Sequence, residues 1–134
     1  MTVKRTTALK LGIAWFIIIS FLFFLPGSAF PKTNIFSKIQ FDKWIHFGFF
    51  FLLTWLWSKG LNTEKSIDLF ILFLAASVYG FNVEVLQDQY VKYRAFDGGD
   101  VLADIAGALA GIIIGEIAFV KKVNPRRNGG RNQN

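Results

Sequence analysis

YGFNVEVLQDQYVKYRAFDGGDVLADIAGALAG, residues 79–111, decides the architecture. It carries the end of one apolar run, a short polar connection and the start of a Gly/Ala-rich run. Glu84 and Asp104 lie inside those runs instead of between them. A charge taken toward the middle of a bilayer costs at least about 2.5–3.5 kcal/mol on insertion scales. Such residues therefore need a partner, water or a function, and are treated as one site with the charged residues around them.

Working outward, apolar windows run from Leu9 to Leu25, Trp44 to Leu61, Ile67 to Leu86 and Val101 to Val120. Each is near the roughly 17–25 residues that a spanning helix requires. The windows show no strand alternation, and backbone in lipid must satisfy its own hydrogen bonds, so a helical bundle is expected and a barrel is not. The second window is the shortest in apolar content, with Trp44, Trp55 and Trp57 placed as interfacial anchors and Lys59 able to snorkel from its end. The first also resembles a secretory signal, with Lys4, Arg5 and Lys10 before the apolar run and Gly27, Ser28 and Ala29 after Pro26. Its length favours retention as a helix.

The expected fold is all-α: a single four-helix membrane domain over residues 1–120, followed by a basic tail, 121–134, too polar to order itself. Of 134 residues, 53% are hydrophobic and 16 are Phe, too apolar for an ordinary soluble domain. The net charge of +6 is a property of that tail. Lys121, Lys122, Arg126, Arg127 and Arg131 account for five of 15 basic residues, leaving 10 against nine acids elsewhere. The tail lacks aromatic residues for base stacking, which argues against nucleic acid and for contact with anionic lipid. Absence of cysteine excludes disulfides, thiolate catalysis and Cys-ligated zinc.

Lys and Arg near the windows set the orientation. Lys4, Arg5, Lys10, Lys59, Lys65 and the tail flank one side; Lys32, Lys38, Lys43, Lys92 and Arg94 flank the other. Both termini are thus expected to be cytoplasmic. Asp42 and His46 then enter the second helix, Glu84 and Gln87 leave the third, and Asp100 and Asp104 enter the fourth at one extracytoplasmic surface.

The candidate ligand-binding residues are Asp42, Lys43, His46, Glu84, Gln87, Arg94, Asp97, Asp100 and Asp104. Asp42 and His46 stand four apart on one helical face, where a carboxylate can orient an imidazole; the plain alternative is a helix-start acid with a satisfied interfacial histidine. For Glu84 the alternative is a salt bridge to Arg94 or Lys43. Asp100 is explained by an N-cap or first-turn position, an explanation that does not reach Asp104 one turn deeper. The carboxylates with His46 offer donors for a divalent metal, whereas Arg94 and Lys43 offer an anion contact. His46 and Glu84 are the candidates for acid–base catalysis, although no nucleophile or established catalytic spacing accompanies them. Gly107, Gly111 and Gly115 repeat every fourth residue, a strip for close helix packing, within the chain more than between copies.

FDKWIHFGFFFLL, residues 41–53, together with residues 79–111, resembles the VanZ-like membrane proteins, a family named after a protein linked to teicoplanin resistance. The matching positions are Asp42, Lys43, His46, Glu84, Gln87, Arg94, Asp97, Asp100, Gly107 and Gly111, so the resemblance covers the last three windows. Asp104 departs from it, since the family pattern has Asn there. The resemblance implies a bacterial envelope protein, a role in antibiotic resistance, and a lipid-linked cell-wall component as partner. It does not define a reaction.

Overall fold

The computed structural model describes residues 3–26, 41–61 and 65–123, with side chains through Phe119. Four helices account for nearly all of them: α1 (Arg5–Phe23), α2 (Phe41–Leu61), α3 (Ser66–Tyr90) and α4 (Gly98–Val123). Much of the expected first loop, with Gly27, Ser28, Ala29, Pro31, Lys32 and Lys38, lies outside the described residues. So do residues 124–134 of the basic tail.

Contacts between the helices give an up-down-up-down bundle. Arg5 Nε donates to Gly60 O at 3.1 Å, Trp57 Nε1 to Gly12 O at 3.2 Å and Trp15 Nε1 to Phe49 O at 3.0 Å, so α1 runs against α2. At the other end of this pair the Phe23 ring lies 4.9 Å from the His46 ring. Helix α4 runs parallel to α2 and packs on it more closely than any other pair. A Cβ added at Gly107 would meet Phe47 O, one at Gly111 would meet Phe51 O and Thr54 Oγ1, and one at Gly115 would meet Ser58 Oγ at 2.7 Å. The glycine strip thus faces α2, and absence of side chains there lets two backbones approach as small residues do between membrane helices. Thr54 fastens the seam by donating to Ala108 O at 2.9 Å. Helix α3 closes the bundle antiparallel to both, with the Tyr79 hydroxyl 2.7 Å from Ser20 Oγ.

Polarity is distributed inside out relative to a water-soluble domain. Ile17, Phe21, Phe70, Ile71, Leu74, Leu102 and Ile113 are exposed, while His46, Thr54, Ser58, Glu84, Gln87, Asp100 and Asp104 are buried. An apolar exterior with polar groups turned inward suits hydrocarbon as solvent. Among the described residues three helices are long and apolar enough to cross a membrane: α1, α3 and α4. Helix α2 is long enough at 21 residues but falls short in apolarity, a correction to the reading of four membrane spans at the window that was shortest in apolar content. Its position explains this. α2 touches all three other helices, and His46, Thr54, Ser58 and Gly60 serve contacts within the bundle. Trp57, expected at an interface, instead bonds to α1 and lines an apolar groove of about 570 Å³ with Phe16, Leu53 and Tyr79.

A buried histidine and carboxylate centre at one end of the bundle

The C-terminal ends of α1 and α3 and the N-terminal ends of α2 and α4 meet at one end, and most of the ionisable residues singled out from sequence lie there. His46 enters from the second turn of α2. Its Nδ1 is 2.9 Å from Asp104 Oδ1, and Asp104 is completely buried. An ionised carboxylate only accepts, so Nδ1–H donates to it and Nε2 points the other way, carrying a lone pair when the ring is neutral and an N–H when it is protonated. Facing Nε2 are Asp100 Oδ2 at 3.7 Å and Glu84 Oε1 at 3.8 Å. Phe23 caps the imidazole from α1.

Each carboxylate is placed by a local backbone feature. Gly80 makes room for Asp104, because a Cβ there would lie 2.7 Å from Asp104 Oδ2. Glu84 Oε2 accepts the Asp97 N–H at 3.2 Å, tying α3 to the residue that precedes α4. Asp97 caps α4: its Oδ1 accepts the Gly99 N–H at 2.7 Å, the bond expected of an N-cap acid. Asp100, the expected cap or first-turn residue, is in the first turn and directs its carboxylate inward. Lys43 Nζ bridges Asp97 Oδ2 at 2.7 Å and Asp100 Oδ1 at 3.2 Å, with Asp42 Oδ2 at 4.0 Å. The ammonium and the Gly99 N–H hold the Asp97 carboxyl below the usual carboxylate range.

Several residues sit differently from their sequence-based assignment. Asp42 is exposed beside Lys43, and His46 takes its orienting carboxylate from Asp104 across the α2–α4 seam instead of from its own helix. Gln87 is buried, and Nε2 donates to Phe23 O at 2.8 Å, so it fastens the end of α1. Arg94 is half-buried in the 91–97 connection, where Tyr93 adopts a left-handed backbone (φ 65°). Lys43 is engaged with acids already, which makes it a link within the site more than an open anion contact. Phe23 was not legible as a site residue, since an aromatic at the end of an apolar run carries no signal of its own.

Two buried polar atoms among the described residues have no hydrogen-bond partner, Glu84 Oε1 and Asp104 Oδ2. Unsatisfied buried groups cost about 1–3 kcal/mol each, more when charged, and are uncommon enough to require a reason. His46, Glu84 and Asp100, all buried, place one ligand atom each within 4.8 Å of one another and are able to coordinate a divalent cation. Asp42, Asp97 and Asp100 form a second, more exposed group, already bridged by Lys43.

Fold and site together define a small all-α, multi-pass membrane protein with a buried histidine and carboxylate centre between its helix ends. Comparison with protein-family models, curated proteins and solved structures gives no match to this chain.

Proposed function

We propose that the chain is a bacterial envelope protein of the VanZ-like type. Its polar end faces outward from the membrane and engages the headgroup of a lipid-linked or anionic envelope component, with reduced susceptibility to teicoplanin as a consequence. The observation that carries this reading is the unpartnered Glu84 Oε1 beside His46 Nε2. A purely structural polar core would pair its charges, whereas a binding site keeps acceptors in reserve. The family resemblance at residues 41–53 and 79–111 supplies the envelope context, and the distribution of Lys and Arg supplies the orientation, with both termini cytoplasmic. Arg94, in the 91–97 connection, and Lys43 are the candidate contacts for the anionic group, and Lys43 reaches a phosphate or carboxylate by exchanging Asp97 for it. Expression in a glycopeptide-sensitive host tests the role. Reduced teicoplanin susceptibility is expected, and unchanged susceptibility with the protein abundant in the membrane counts against it.

A second reading, an enzyme acting on lipid phosphate or glycan linkages, is favoured by the His46–Asp104 pair. A carboxylate that fixes one ring nitrogen leaves the other poised as acid or base. Incubating the purified protein with envelope lipids, with and without chelator, should then give a new product by mass spectrometry. Absence of product across lipids and added metals removes this reading.

A further inference from the structure

We propose that His46 Nε2, Glu84 Oε1 and Asp100 Oδ2 form a binding site for one first-row divalent cation of the zinc or manganese type. Asp104 acts behind His46 as the group that orients it. This rests on the preceding reading of the cluster as a binding site and names its ligand, but is tested on purified protein without any lipid component.

In the neutral ring with its proton on Nδ1 toward Asp104, three acceptors converge: Nε2 presents a lone pair to Glu84 Oε1 and Asp100 Oδ2, at 3.8 and 3.7 Å. Acceptors brought together in a low-dielectric interior repel one another unless a cation lies among them. The second, independent observation is Glu84 Oε1 itself, on a side chain 1% exposed, without a hydrogen-bond partner and aimed at this space. The other oxygen of each acid is already fixed: Glu84 Oε2 by the Asp97 N–H and Asp100 Oδ1 by Lys43. One oxygen of each is therefore left for the same point.

The separations approach those of a metal site. Two ligand atoms each ~2.1 Å from a tetrahedral ion stand ~3.4 Å apart. The two carboxylate oxygens are 3.7 and 3.8 Å from His46 Nε2, and all three ligand atoms lie within 4.8 Å of one another, so an ion would draw them together. One imidazole with two carboxylates suits zinc, manganese or iron; magnesium and calcium prefer shells made of oxygen alone. The carboxylate–imidazole–metal arrangement made by Asp104 is the usual way of fixing a ligating ring. Three protein ligands leave a coordination position for water or for a headgroup oxygen, so the ion supplies the positive charge that an anionic partner needs where the side chains are mostly acidic.

The site is tested by titrating tag-free, full-length protein in detergent with Co²⁺, and with Zn²⁺, Mn²⁺ and Mg²⁺ in competition. His46 is the only histidine and cysteine is absent, so nitrogen ligation visible in the Co²⁺ absorption spectrum has one origin. One equivalent per chain is expected, displaced by Zn²⁺ far more readily than by Mg²⁺. His46→Gln, Glu84→Gln and Asp100→Asn each weaken binding at least tenfold, and Asp104→Asn weakens it about 10–100-fold. Asp68→Asn, at the opposite end of the bundle, leaves it unchanged. No stoichiometric binding by the parent protein overturns the site. So does an equivalent that survives both His46→Gln and Asp100→Asn, or one that Mg²⁺ displaces as readily as Zn²⁺.

Discussion

Asp104 on α4 and His46 on α2 meet at 2.9 Å across the closest helix seam in the molecule, and this bond sets which ring nitrogen faces the other carboxylates. The two residues are 58 apart in sequence. Their meeting depends on Gly107 one turn below, where the α4 backbone lies against Phe47 O, and on Gly80, which clears space over Asp104. Two glycines on different helices thus serve one polar contact.

Replacing Asp104 separates its charge from its hydrogen bond. Asp104→Asn retains an oxygen for the Nδ1–H and should accumulate normally with an unfolding temperature close to the parent's. Asp104→Leu leaves that buried N–H unpartnered and should cost about 1–3 kcal/mol. Thermal unfolding of both variants in the same detergent checks the difference; equal losses would mean that the hydrogen bond does not hold the ring.

A glycine inside the α4 strip and one outside it predict opposite signs for the same substitution. Gly48 has nothing within 4 Å of an added Cβ, so Gly48→Ala should stabilise by about 0.5–1 kcal/mol through lower chain entropy. Gly111→Ala forces a methyl group onto Phe51 O and should destabilise by about 1–3 kcal/mol. Helicity followed against denaturant measures both.

Thr54 bonds to Phe50 O and Ala108 O in the buried seam. Thr54→Val keeps the shape and removes the donor, so the expected loss is about 0.6 kcal/mol, the average for such bonds in a helical membrane protein. A loss several times larger would identify Thr54 as a required strut of the seam.

Helix number and the end at which charge collects were legible in the sequence because both depend on spacing along the chain: apolar window length, and where acids and bases interrupt it. The near neighbours of His46 were not. Helical periodicity pairs it with Asp42 four residues away, yet burial decides otherwise. Asp42 is at the exposed helix start beside Lys43, while Asp104 sits inside the tight α2–α4 contact. No local pattern encodes contacts between helices 58 residues apart. The second window was read as a span, yet α2 falls short in apolarity, since its polar residues, which a single helix would expose to lipid, are covered by the three neighbours that surround it. Lys43 appeared from sequence to be an anion contact because its acids, Asp97 and Asp100, approach only when the 91–97 connection folds back.

Lys43 should matter more than Asp97 for the same reason. Lys43→Met strips the ammonium from Asp100, which is nearly buried, whereas Asp97→Asn retains a cap for the Gly99 N–H and leaves Lys43 on Asp100. Membrane accumulation should fall several-fold for Lys43→Met and change little for Asp97→Asn. The reverse order would place the main electrostatic demand at the surface.

The central claim is that the buried cluster serves binding and not merely assembly. The most direct test is a matched set of His46→Ala, Glu84→Gln, Arg94→Ala and Asp100→Asn variants, scored together for membrane accumulation and teicoplanin susceptibility in a host where the parent protein changes susceptibility. The account predicts accumulation close to the parent's with the effect on susceptibility lost in every variant. Variants that fail to accumulate, or that accumulate and retain the full effect, would contradict it.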